Sequence, residues 1–64
     1  MCLATVFLKE NEENKPVLKN VTKLAFEDDS WLLTDILGKQ MRLRGTIEEV
    51  DLTDNFIVIC ELSS

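Results

Sequence analysis

The residue whose type and position could do most chemistry is Cys2, the second residue of the chain. Its thiol lies beside its own backbone amide and, if Met1 is retained, close to the terminal α-amine. Together the amine, the amide nitrogen and the sulfur can close two fused five-membered chelate rings around a metal ion. If Met1 is removed, the amine and thiolate of Cys2 still close one such ring. Donors in a tetragonal arrangement favour Ni(II) or Cu(II), and the soft thiolate makes Cu(I) and zinc further candidate metals.

A chelate at one terminus supplies at most three donors to the metal. A two-fold homodimer that brings two Cys2 thiolates together would complete a square-planar site on its symmetry axis. Because amines and thiols have ordinary pKa values of about 8 and about 8.5, metal binding should strengthen as pH rises. Position alone also allows a simpler interpretation, in which Cys2 is a thiol packed in the first strand.

The other candidate sites have weaker patterns. Cys60 falls in the most apolar stretch of the sequence, where a free thiol behaves as a small hydrophobe, so we expect it to be inert and in the core. Two acidic segments, 27–29 and 48–51, could bind a hard cation, but neither has the ligand spacing and central glycine of a calcium loop. We interpret both as solvated turns. We expect Trp31 in the core or in an interface.

Composition excludes most enzyme chemistry. The 64 residues include no histidine, so the usual general base and the commonest metal ligand are missing. The sequence has no glycine-rich phosphate loop and no Ser/His/Asp or Cys/His set. Its net charge of −5 disfavours nucleic-acid binding, which depends on Lys and Arg contacts to phosphates. We therefore expect a protein that is not an enzyme and does not use nucleic acid as its partner.

We expect one cytoplasmic domain that spans residues 1–64. No basic segment precedes the apolar run 1–8, and Lys9 and Glu10 end it at once, so it is unlike a secretory signal. The run is also too short to span a bilayer. In the cytoplasm both cysteines would stay reduced. A domain of about 60 residues buries only about 60% of its unfolded surface, so a metal or a second subunit would add stability.

Short segments rich in β-branched and aromatic residues alternate with turn residues, which predicts an all-β fold with five to six strands. Gly45, on the apolar face of an alternating segment, predicts a bend or a close backbone approach. Gly38 predicts a tight turn. Such elements are typical of a small, strongly bent antiparallel barrel. The predicted strands are 2–8, 17–18, 21–27, 31–36, 40–50 and 56–62, with a polar loop at 10–15 and a turn at 51–55.

The first and last predicted strands, 2–8 and 56–62, are apolar on both faces. A strand of this kind is covered on both sides. A chain of 64 residues builds only one core, which can cover one of these sides. We therefore expect a homodimer, even without metal, in which a second copy covers the other side.

The opening Met1-Cys2-Leu3-Ala4 and the β-run 5–8 that follows it resemble the CooT family of small nickel-binding proteins. The resemblance covers almost the whole chain. It implies an SH3-like β-barrel that forms a homodimer and binds Ni(II) through Cys2, with the terminal amine of Met1 or the adjacent amide in support. It also implies a metallochaperone-like role in maturation of the nickel enzyme carbon monoxide dehydrogenase, which would be the client. The further positions of resemblance are 20–21, 33–35, Gly38, Gly45 and the 51–52 turn.

Two functions therefore remain open from the sequence. In the first, the protein is a nickel-binding accessory protein that uses Cys2 at a dimer axis. In the second, it is a metal-free β-barrel that acts as an interaction module for protein or RNA. Titration of the reduced protein with Ni(II) separates the two.

Overall fold

The structure, a computed structural model, describes residues 3–61 and contains six strands in one sheet. The strand order across the sheet is β4-β3-β2-β1-β6-β5. None of the described residues forms a helix long and apolar enough to cross a membrane. The strands are β1 Ala4–Glu10, β2 Glu13–Glu27, β3 Ser30–Asp35, β4 Gln40–Leu43, β5 Gly45–Asp51 and β6 Phe56–Glu61.

The prediction of a small, bent all-β fold with five to six strands is confirmed. Four neighbouring pairs run antiparallel, whereas β1 and β6 run parallel, with Val6 opposite Ile57. Within residues 3–61 the edge strands β4 and β5 share no ladder, and Arg44 alone separates them in sequence. At this corner the indole Nε1 of Trp31 donates a hydrogen bond of 3.0 Å to the carbonyl oxygen of Gly45.

Three predicted boundaries were wrong, and local backbone geometry explains each. The polar loop predicted at 10–15 is a tight hairpin whose turn is Asn11-Glu12, both with positive φ, as a primed two-residue turn requires. The predicted strands 17–18 and 21–27 are one strand, β2, which passes through Asn20 with φ 58°. Asparagine tolerates this left-handed conformation better than most residues. The predicted strand 40–50 is instead two strands, divided at Arg44.

The core lies on one face of the sheet and is built around four buried residues, Val6, Val21, Leu33 and Ile59. Trp31 packs against these residues, as predicted. The other partly buried side chains around the core are Leu8, Val17, Leu18, Leu24, Leu43, Ile47 and Ile57.

The opposite face of β1 and β6 is also apolar, because successive side chains of a strand point to alternate faces. On this outer face Phe7 lies opposite Val58, and the rings of Phe7 and Phe56 meet edge to face with centroids 6.1 Å apart. Val58 is only 2% exposed. The chain therefore covers much of its second apolar face by itself.

Gly45 sits at a close backbone approach, which confirms the prediction made from its position. A Cβ atom at this residue would collide with the carbonyl group of Cys60 on the neighbouring strand. The absence of a side chain thus allows β5 and β6 to pair next to the corner at Arg44.

Candidate functional site

Both residues predicted to bind a metal, Met1 and Cys2, lie outside the described residues, so their geometry is not part of the site described below. Their nearest described neighbours are Leu3 and Ala4, which line an apolar cleft of about 180 Å³. Across residues 3–61, no group of three or more Cys, Asp or Glu side chains could hold a metal ion together.

The cleft forms where β1 stops short of its neighbour β2. Ala4 lies opposite Val21, and β2 continues beyond that point with β3 along its other edge. The β5–β6 turn faces this part of β2 across the gap. The remaining residues that line the cleft are Val21, Thr22, Lys23, Leu24, Val50, Asp51, Leu52, Asn55, Phe56 and Ile57.

The β5–β6 turn is fixed by hydrogen bonds and leaves a leucine in solvent. Oδ1 of Asp51 accepts hydrogen bonds from the amides of Thr53 and Asp54, at 2.9 and 2.8 Å. The amide of Thr5 donates to the carbonyl oxygen of Asn55 at 3.1 Å, which ties the turn to β1. Leu52, between the anchored residues, is 83% exposed.

The β3–β4 turn repeats this construction. Oδ1 of Asp35 accepts hydrogen bonds from the amides of Leu37 and Lys39, at 2.9 and 2.8 Å. The amide of Ile36 donates to the carbonyl oxygen of Asn20 at 2.9 Å, which ties this turn to β2. Leu37 is 89% exposed and Ile36 is 48% exposed. The turn is therefore a hydrogen-bonded loop with an apolar tip.

Both turns lie level with the start of β1 but leave from opposite ends of their strands. Asp35 and Ala4 both lie opposite Val21, and Asp51 and Thr5 both lie opposite Phe56. Because β1, β3 and β6 run in the same direction, the turn that follows β3 and the turn that precedes β6 do not share one end of the sheet. Sequence reasoning missed these two apolar turns, although the sequence offers a signal, an Asp followed within two residues by a leucine in each turn.

Cys60 lies on the outer face of the sheet and is half-buried, not packed in the core as expected. Ile57 and Ile59 point to the core, so Cys60 points away from it, level with Lys9 on β1. The ammonium of Lys9 reaches over β6 to the Glu48 carboxylate, 2.7 Å away on β5. This hydrogen bond, together with the negative charge of Glu48, raises the pKa of Lys9 above its ordinary value.

The two acidic segments differ from one another. Residues 27–29 are exposed at a turn, as expected, and Arg42 donates to the Glu27 carbonyl oxygen and to Ser30 Oγ, at 3.2 and 2.9 Å. Residues 48–51 were expected to form a solvated turn but belong to β5, where the register shifts between Ile47 and Glu49. The shift adds one residue, Glu48, to the strand, and the carboxylate of this residue pairs with the ammonium of Lys9.

Comparisons with known proteins point to one family. The family described as CO dehydrogenase accessory protein CooT matches residues 1–60, a range that includes Met1 and Cys2. Among solved structures, the fold is similar to the crystal structure of a CooT candidate from Carboxydothermus hydrogenoformans. The TM-score is 0.89 at 24% sequence identity, over 97% of this chain and 100% of that chain. No curated protein matches the sequence.

Proposed function

Because the chain belongs to the CooT family of CO dehydrogenase accessory proteins, we propose that it binds Ni(II) through Cys2 at a homodimer interface. In this role it is an accessory protein, comparable to a metallochaperone, and not an enzyme. The observation that carries the proposal is the family match, which begins at residue 1 and so includes the thiol at position 2.

The donor chemistry supports nickel as the cargo. The chain has no histidine, so the strong donors available near Cys2 are its thiolate, its amide nitrogen and the amine of Met1. Sulfur and nitrogen donors in a tetragonal arrangement suit Ni(II). One chain offers at most three of these donors, and the Cys2 thiolate of a second copy completes a square-planar coordination.

A site of this composition also suits a protein that passes its metal on. Its donors belong to residues 1 and 2, which precede the first strand in sequence. We propose that the client is a carbon monoxide dehydrogenase and that transfer takes place in the cytoplasm, where the thiols stay reduced.

The decisive experiment is a titration of the reduced, tag-free protein with Ni(II). We expect sulfur-to-nickel charge-transfer absorption that saturates at one nickel ion per two chains. The Cys2→Ser variant should lose tight binding, whereas Cys60→Ser should retain it because Cys60 lies on β6, away from the chain start. The two variants are a matched pair, since each removes one of the chain's two thiols.

Two results would contradict the proposal. Equal loss of binding in both variants would mean that the assignment of Cys2 as the nickel ligand is wrong. If the wild-type protein binds no nickel, the alternative of a metal-free interaction module takes its place.

A further inference from the structure

We propose that the turn between β2 and β3 holds an arginine side chain of a partner protein, whose guanidinium stacks on Phe26 and pairs with Asp28 and Asp29. The contact goes beyond the proposed function, because it needs neither nickel nor the start of the chain. We call this surface the aromatic–acidic turn, and it comprises Phe26, Asp28, Asp29 and Trp31.

The aromatic part of this surface is open to solvent and fixed in place. Phe26 is 58% exposed, and it is the one exposed aromatic residue among residues 3–61. Its ring packs against the indole of Trp31, with the ring centroids 4.9 Å apart and the planes tilted by 57°. Phe26 and Trp31 lie opposite each other on β2 and β3. The strand pairing thus presents an accessible π surface, of the kind that aromatic residues offer in interfaces.

The acidic part of the surface has charge to spare. Asp28 and Asp29 are exposed, and within residues 3–61 neither of them forms a salt bridge. The neighbouring Arg42 is engaged elsewhere, since it donates to the carbonyl oxygen of Glu27 and to Ser30 Oγ, at 3.2 and 2.9 Å. The turn therefore keeps two negative charges that the described residues do not neutralise.

The turn has its shape before any partner binds. Asp28 and Asp29 adopt φ angles of 52° and 61°, as the central residues of a primed two-residue hairpin do. Ser30 is 5% exposed, and its hydroxyl donates to the carbonyl oxygen of Glu27 at 3.0 Å, which closes the hairpin. A preorganised surface loses less conformational entropy on binding.

The combination of ring and carboxylates selects a guanidinium over other cations. A hard metal ion needs several oxygen ligands, and no group of three or more Cys, Asp or Glu among the described residues is placed to hold one. A lysine ammonium is a compact point charge, whereas a guanidinium is planar, stacks on aromatic rings and binds carboxylates through paired donors. Phe26 and Asp28 are two residues apart, about 7 Å along an extended strand, a span that one arginine side chain covers.

Charge favours a basic partner over a second copy of the chain. The net charge of the chain is −5, and two copies that met at this turn would place like charges together, which repel each other. The chain has only two arginines, Arg42 and Arg44, and Arg42 is already bound at the base of the turn. A basic segment of another protein is attracted to the same charges.

An NMR titration of the metal-free, reduced, ¹⁵N-labelled protein tests the contact. The probe is the peptide acetyl-Gly-Arg-Arg-Gly-amide, compared with peptides in which lysine or neutral citrulline replaces both arginines. We expect the amide signals of residues 26–31 to shift saturably with the arginine peptide. The lysine peptide should bind at least about threefold more weakly, and the citrulline peptide should give no saturable shift.

Two variants separate the contribution of the ring from that of the charges. Phe26→Leu keeps an apolar side chain without a π surface, and Asp28→Asn/Asp29→Asn keeps the turn, because asparagine favours the same backbone conformation. Each should raise the dissociation constant of the arginine peptide at least about fivefold. The matched control Glu12→Gln/Glu13→Gln removes the same charge at the β1–β2 turn and should leave that constant within about twofold. Circular dichroism verifies that each variant is folded.

Several outcomes would contradict the proposal. Without a saturable shift of residues 26–31 there is no site, and equal weakening in the control variant would mean that the peptide responds only to net charge. Equal affinity for the lysine peptide would overturn the assignment of arginine. If the same amides shift with protein concentration in the absence of peptide, a second copy occupies the turn and the proposal is equally wrong. Failure of the proposed function is recognised separately, because it appears only in the Ni(II) titration.

Discussion

Gly45 is a residue at which the structure leaves no room for a side chain. An added methyl group would collide with the carbonyl group of Cys60 and would lie 3.1 Å from Cγ2 of Ile59, a core side chain. We expect Gly45→Ala to lower the free energy of unfolding by about 1–3 kcal/mol, as overpacking does. Urea unfolding followed by the fluorescence of Trp31, the only tryptophan, measures the loss, and Trp31 also reports on the corner because it donates to Gly45.

Gly38→Ala is the control for this substitution. No atom lies within 4 Å of the position of the added methyl group, but φ is +86°, so only backbone strain of about 1 kcal/mol is expected. If Gly38→Ala destabilises the protein as much as Gly45→Ala, the close approach of β5 to β6 does not explain the need for glycine at position 45.

Cys2 and Cys60 show what residue type alone can and cannot predict. The chemistry proposed for Cys2 follows from its place beside the amine, and no knowledge of the fold was needed to predict it. Cys60 was wrongly expected in the core because its neighbours are apolar on both sides. The face on which Cys60 lies is set by Ile57 and Ile59, and only the pairing of β6 with β1 shows that these two point inward.

At the scale of elements, the turns depend on single carboxylates. Asp35→Ala removes the acceptor for two backbone amides, and we expect it to lower the free energy of unfolding by about 1–2 kcal/mol. Asp35→Asn keeps a carbonyl oxygen at the same position and should lose less than half as much. Urea unfolding measures both variants, and hydrogen exchange of the Leu37 and Lys39 amides should quicken in Asp35→Ala alone. Equal losses in the two variants would mean that the charge of Asp35, and not its acceptor geometry, stabilises the turn.

Strand identity was predictable from local composition, whereas strand boundaries and partners were not. The sequence predicts a longer loop than the hairpin at Asn11-Glu12 because glutamate gives no signal for positive φ, which both residues adopt. The segment 40–50 alternates as one strand would, and its division at Arg44 depends on contacts with β6, which is distant in sequence. The parallel pairing of β1 with β6 brings together the two ends of the chain, and no local pattern specifies it.

The apolar cleft was unpredictable for the same reason. Leu3, Val21 and Val50 line one cleft but are far apart in the sequence. Their proximity follows from strand register, so a reading of composition and alternation does not reveal it. What the sequence did specify was the apolar character of each residue, from which a homodimer stays a prediction.

Considered as a whole molecule, the chain carries its acidic turns 10–13 and 27–30 at the two ends of β2. The start of β1, which adjoins the proposed nickel ligands in sequence, lies between these turns along β2, with Ala4 opposite Val21. Blocking the α-amine should change how nickel is bound without preventing a dimer from forming.

The final prediction is that an N-terminal extension before Met1 lowers nickel affinity at least about tenfold or changes the nickel absorption spectrum. A dimer supplies two Cys2 thiolates, and no histidine exists to complete the square, so the remaining strong donors are amines and amide nitrogens. An extension converts the Met1 amine into an ordinary amide. Carboxylates could replace it, but as weaker-field oxygen ligands they would favour a more octahedral, high-spin nickel ion.

The same extension placed after Ser64 is the matched control and should leave nickel binding unchanged. Sedimentation of both extended proteins separates the two ways in which an N-terminal extension could act. If the dimer persists while the spectrum changes, the amine is a ligand, whereas dissociation of the dimer would mean that the extension obstructs association of the two chains. Identical nickel affinity and absorption spectrum in all forms would exclude the amine as a ligand. The square-planar site would then consist of Cys2 thiolates and amide nitrogens alone.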